Sequence, residues 1–98
     1  ARHDANPGVR LRALEALHGY EQDAVVRDTL LSALTKDENP GVRIVAINEL
    51  RALVDSGHGS GDPRLRKVLQ SLVDRDANNY VRLQAAAAVR RLDSGSNQ

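Results

Sequence analysis

The strongest constraint on this chain is a helix-entry phrase that recurs. Asp37-Glu38-Asn39-Pro40-Gly41-Val42-Arg43, followed by Ala46 and Leu50, has an upstream copy in Asp4-Ala5-Asn6-Pro7-Gly8-Val9-Arg10, followed by Ala13 and Leu17. A third copy, Asp76-Ala77-Asn78-Asn79-Tyr80-Val81-Arg82 with Ala85 and Val89, replaces Pro-Gly by Asn79-Tyr80. Self-similarity at a fixed period marks a stacked-repeat architecture, in which each unit buries its apolar face against its neighbours. Asn6 and Asn39 are 33 residues apart and Asn39 and Asn78 are 39 apart; the six-residue insert 56–61 accounts for the difference. Between the phrases, Val26, Arg27, Leu30 and Leu34 align with Leu65, Arg66, Leu69 and Val73 in the same register.

Each phrase reads as the start of a helix. An Asn side chain can cap the first free amides, and a proline at the first helical position gives up an N–H that has no partner there. The spacing predicts a helix over 7–18, with Val9, Ala13, Leu14, Ala16 and Leu17 on one buried face and Gly19 closing it. Asp23 caps a second helix to about Lys36 that buries Val26, Leu30, Leu31, Ala33 and Leu34. A third runs from Pro40 to about Val54, with Val42, Ala46, Leu50 and Leu53 inward and Ile47 beside them. Residues 56–61 read as a flexible Gly-rich loop. Asp62 and Pro63 then open a helix carrying Leu65, Val68, Leu69, Leu72 and Val73; a last one runs from Asn78 to about Leu92, and 93–98 reads as a frayed tail. The organisation is a single all-α domain of five helices, about two and a half helix pairs. It comprises an unpaired second helix (7–18), a second repeat (23–55), the loop, and a third repeat (62–92).

Composition agrees and narrows the chemistry. The hydrophobic 41% is aliphatic, without Phe, Trp or Met, which suits stacked helices better than a sheet core. A net charge of +1 provides no global field for nucleic acid or acidic membranes. Absence of cysteine excludes disulfides, thiolate metal sites and cysteine nucleophiles. No apolar run approaches the roughly 20 residues of a membrane span.

The sets Asp37/Val42/Arg43/Ala46/Leu50, Asp4/Val9/Arg10/Ala13/Leu17 and Asp76/Val81/Arg82/Ala85/Val89 resemble the turn and second-helix signature of HEAT repeats, of the compact bacterial kind. The resemblance covers residues 4–92 and implies a right-handed α-solenoid of antiparallel helix pairs. It also implies a structural ladder between successive repeats, here Asp4, Asp37 and Asp76 with Arg10, Arg43 and Arg82. Arginines at the rim of an apolar stripe need such carboxylates to offset their desolvation.

Nothing in the sequence has the form of an enzyme site, and the expectation is no catalysis and no cofactor. His3, His18 and His58 lack metal-ligand spacing, the serines lack a His–Asp context, and the Gly-rich insert has no phosphate-binding Lys-Ser or Lys-Thr. The function expected is a protein-interaction scaffold, in keeping with the family, within a bacterial regulatory protein resembling membrane-anchored zinc-finger anti-sigma factors. By the same resemblance, second helices line a concave face. Helical geometry places Arg12, Glu15, Val45, Asn48, Ala52, Gln84, Ala87 and Arg91 opposite the buried stripe, facing a protein partner. The alternatives are a HEAT-like lyase of the bilin-lyase type and binding of DNA backbone by Arg64, Arg66, Lys67, Arg75, Arg82, Arg90 and Arg91. Tyr80, at the glycine position of the other phrases, is expected to pack over Asn79. The unpaired first helix leads to the expectation that the natural protein extends N-terminally or that this face pairs with another copy. The compartment is open, with a soluble cytoplasmic domain preferred.

Overall fold

The helix-entry phrases act as the sequence predicts. Asn6 and Asn39 accept from the amides of Val9 and Val42 at 2.9 and 3.1 Å, and Asn78 does the same for Val81 at 3.0 Å. Asp23 and Asp62 cap the intervening helices by accepting two amides each. The computed structural model describes residues 6–59 and 61–96, and Asp4 of the expected ladder lies outside them. The helices are α1 (Pro7–Glu15), α2 (Ala24–Lys36), α3 (Pro40–Asp55), α4 (Pro63–Arg75) and α5 (Asn79–Ser96). Among the described residues there is no strand.

The helices form two layers. The second helices stack in the order α1, α3, α5, while α2 and α4 lie side by side against them. Helix α3 is central and buries six side chains: Val42, Ala46, Ile47, Leu50, Leu53 and Val54. Leu30, Leu31 and Leu34 close over it from α2; Leu65, Leu69 and Leu72 come from α4, and Val81, Ala85, Ala88, Val89 and Leu92 from α5. Each large aliphatic side chain so enclosed contributes about 1.5–3 kcal/mol, which is how a core without Phe, Trp or Met holds the stack.

Two boundaries differ from the sequence expectation. Helix α1 stops at Glu15 and gives way to turns over residues 16–19, and Gly19 at φ 93° then redirects the chain towards α2. The expected tail does not begin at residue 93: α5 continues to Ser96, and Asp93 pairs with Arg66 of α4. Residue 60 of the expected loop 56–61 lies outside the described residues, and the residues before it make defined contacts. Ser56 Oγ donates to the Leu53 carbonyl, and Gly59 (φ 95°) sits so close to Leu65 that a Cβ there would lie 2.8 Å from its Cδ2.

The first helix also buries less than its pattern implies. Leu14 is 5% exposed, and Leu11 and Leu17 are partly buried against the core, all through packing on α3. Val9 is 53% exposed, and Ala13 and Ala16 are exposed as well. Their counterparts Val42 and Ala46 are buried because α2 covers that side of α3. No described helix covers the same side of α1.

Arginine–aspartate pairs cross from each repeat to the next. Arg10 Nε donates to Asp37 Oδ2 at 2.6 Å, and Arg43 donates through both terminal nitrogens to Asp76 while its Nε reaches the Leu34 carbonyl at 2.9 Å. Arg82 donates back to the Asp76 carbonyl at 2.7 Å and to Asn79 at 2.9 Å. A second rung that sequence did not suggest joins the first helices, Arg27 to the capping Asp62 at 3.1 Å.

The rungs depress their carboxylates. The hydrogen bond from Arg10 holds Asp37 below the usual range against burial; for Asp76, burial pushes upward but Arg43 and the Asn78 amide outweigh it. A carboxylate whose folded pKa is lowered adds stability above its unfolded value near 4, and that stability is lost as pH falls through the folded value. Asp76→Ala is therefore expected to cost about 2–3 kcal/mol at pH 7, leaving the terminal nitrogens of Arg43 without their carboxylate. The difference from the parent should shrink below about pH 4 as Asp76 protonates, measured by urea unfolding across pH. A pH-independent difference would show that the destabilisation comes from packing alone.

Candidate functional site

Three surface features stand apart from the repeating core. The first is the uncovered side of α1. Together with α2 it walls a groove of about 510 Å³, lined by Ala13, Leu14, Val25, Thr29, Ala33 and Val42, with Arg10, Asp28, Ser32, Lys36 and Asp37 around them. Val25 of its lining is 73% exposed, and Val9 on α1 is another large apolar side chain open to solvent.

Repeat symmetry explains the groove. Arg10, Ser32, Ala33, Lys36 and Asp37 correspond one repeat later to Arg43, Ser71, Leu72, Arg75 and Asp76. Those residues wall a smaller cleft of about 210 Å³, with Thr35 of α2 as the sixth wall. The position α2 fills there is open beside α1. Asp23 fits the same comparison: its counterpart Asp62 accepts from Arg27, whereas among the described residues Asp23 accepts from the amides of Val25 and Val26 alone.

The second feature gathers His18, Glu21 and Glu49. The tight turn after α1 brings Glu21 inward to 8% exposure, where both carboxylate oxygens accept from Gly19 N at 3.0 Å. Glu49 approaches from the middle of α3. His18 Nδ1 lies 2.6 Å from Glu49 Oε1 and 3.4 Å from Glu21 Oε2, and one donor atom from each residue falls within 4.8 Å of the others. Burial, and then the adjacent Glu21, raise Glu49. Glu21 is lowered despite its own burial, by the hydrogen bond with Glu49 and the Gly19 amide. The hydrogen bond to Glu49, followed by the charges of both carboxylates, raises His18. Spacing along the chain gives no reason to group His18 with Glu49, which lies 31 residues away, so the sequence reading misses the cluster. A usable signal is nonetheless present, since Glu49 stands where the other two copies have Ala16 and Ala88.

The third feature is the outward face of the second helices. Arg12, Glu15, Asn48, Ala52 and Arg91 are exposed or at its rim, and Val45, Gln84 and Ala87 are less so. Several of these residues have internal partners. Asn48 accepts from the Tyr80 hydroxyl at 2.8 Å, Gln84 from Arg51 at 2.6 Å, and Arg91 donates to the Asp55 carbonyl at 3.4 Å. Tyr80 thus reaches across to α3 and does not simply lie over Asn79. The basic residues of the last third are also engaged: Arg64 with Asp28, Arg66 with Asp93, and Arg82 with its own turn.

Paired antiparallel helices at a 33-residue step, joined by aspartate–arginine rungs, define an all-α stacked-repeat protein. A family model described as HEAT repeats matches residues 1–90, and the chain belongs to that family. No curated protein and no solved structure matches it. No described helix is long and apolar enough to cross a membrane.

The raised His18 carries a pH signature. A histidine that gains acidic partners on folding adds stability below its unfolded value near 6.5, and that stability is lost as pH rises through the folded value. In chelator-treated protein, the His18 imidazole is expected to titrate by NMR above 6.5, the ordinary value. Glu49→Ala should bring it back towards that value, and an unchanged midpoint would separate His18 from Glu49 in solution.

Proposed function

We propose that this chain is a non-catalytic scaffold that binds an amphipathic helix of a partner protein in the groove between α1 and α2. HEAT repeats generally mediate protein–protein interaction. The observation that carries the reading is the one-repeat correspondence between this groove and the place that α2 fills beside α4. In that place Leu31 is buried and Arg27 reaches Asp62. A helix patterned like α2 would set its leucines over Ala13, Leu14 and Ala33 and a basic residue against Asp23. The layer of α2 and α4 would then continue by one helix, with apolar packing for affinity and the charge pair for register.

The opposite edge supports the same assignment. On α4, Gln70 occupies the position of Leu31 and is exposed among Arg66, Lys67 and Asp74, so that edge is polar where the groove is apolar. The outward face of the second helices is the less favoured docking surface, because Asn48, Gln84 and Arg91 already have internal partners. A DNA-backbone role is disfavoured for the same reason at Arg64, Arg66 and Arg82.

A labelled peptide with the sequence of residues 23–36 serves as the probe, read by fluorescence anisotropy. It is expected to bind the intact chain and to fail when its leucines are replaced by serine. Val25→Glu should weaken binding at least about tenfold, because a carboxylate would be desolvated where the parent offers an apolar surface. Peptide Arg27→Glu should bind the parent poorly and regain affinity on Asp23→Arg. Equal binding of a scrambled peptide, or no binding at all, would overturn the proposal.

A further inference from the structure

We infer that His18, Glu21 and Glu49 form a binding site for a divalent transition-metal ion of the zinc class, separate from the groove. One imidazole nitrogen and two carboxylate oxygens are a donor set suited to zinc and its first-row neighbours; calcium and magnesium favour all-oxygen shells. Ligand atoms on a tetrahedral ion with bonds of about 2.0–2.2 Å lie roughly 3.3–3.5 Å apart. The His18–Glu21 separation of 3.4 Å already meets this. The His18–Glu49 separation of 2.6 Å must open by less than about 1 Å, and His18, whose side chain is 70% exposed, is the partner free to swing. Its exposure also leaves a solvent-facing position for a water as fourth ligand.

Charge calls for a cation at this place. Two carboxylates held close together and shielded from water need a positive charge or a shared proton between them. A protonated His18 leaves the three groups at −1, whereas a divalent ion with neutral imidazole brings them to zero.

Two of the ligands are fixed independently of the ion. Glu21 is held by both hydrogen bonds from Gly19 in a turn whose shape depends on that glycine's positive φ, and Glu49 projects from the middle of the most buried helix. Stacking does not require Glu49, since alanine occupies its position in the other two copies. An acid that the repeat does not need, facing a second acid and a histidine from another element, is a specific addition to the scaffold.

The test uses the full chain in a His3→Ala, His58→Ala background, so that His18 is the only imidazole. Calorimetric titration with zinc chloride should show one site, and cobalt(II) should give the visible bands of a low-symmetry, near-tetrahedral complex. Glu49→Ala restores the residue of the other repeats and is expected to keep the fold. It should weaken zinc binding at least about 100-fold, because removing even an indirect supporting partner costs 10–100-fold. His18→Ala should do the same, while Glu38→Gln leaves binding unchanged. Affinity should fall in acid as the proton competes for His18. The site is overturned if zinc does not bind, or if it binds folded Glu49→Ala as tightly as the parent.

Discussion

The cross-repeat arginine–aspartate rungs set the register on which the rest of the stack depends. An aliphatic core without aromatic side chains has little shape of its own: leucine, valine and alanine stripes on two helices could slide by a turn and still bury apolar area. Arg10 on Asp37 and Arg43 on Asp76 remove that freedom, because each guanidinium must meet one carboxylate at one place. Each aspartate also holds its turn: Asp37 accepts from Asn39 N, and Asp76 from Asn78 N, at 2.9 Å. One side chain thus fixes both the turn between helices and the offset between repeats. Desolvation opposes these pairs, and both oxygens of each aspartate accept hydrogen bonds against it.

The same repetition makes the two edges of the molecule comparable residue by residue, and they are chemically different. Position for position, the α4 edge replaces Leu31 by Gln70 and Asp28 by Lys67, and it is polar. The α1–α2 edge keeps Val9, Ala13 and Val25 open, and among the described residues no arginine meets Asp23 as Arg27 meets its counterpart Asp62. In a repeat protein each unit buries its apolar face against a neighbour, so the chemistry of an open apolar edge describes what would pack on it.

The His18–Glu21–Glu49 cluster follows a different logic. It sits where the repeat is broken, at the point where α1 ends early and Gly19 makes its turn. Ending α1 at Glu15 frees six residues to fold back, which carries Glu21 under the end of the helix and turns His18 towards α3. The core is periodic, whereas this cluster depends on residues that do not recur.

Periodicity also divides what the sequence determined from what only the tertiary structure decided. The three entry phrases established the class, the five helices, the caps and most of the core, because those properties follow from local hydrogen bonding and from apolar spacing along a helix. Boundaries at residues 15 and 96 escaped: α1 gives way to turns well before Gly19, and α5 runs on past Asp93, which meets Arg66 of α4. The partners of Asn48, Gln84 and Tyr80 were equally unreadable, as each lies on a neighbouring helix. Glu49 was visible as an oddity among alanines, but its meaning was not. Sequence separates it from His18 by 31 residues, and only the packing of α1 on α3 brings them within hydrogen-bond reach. The recurring stretch Asp37–Leu50 specifies how helices stack; where its exceptions meet is decided by the stack itself.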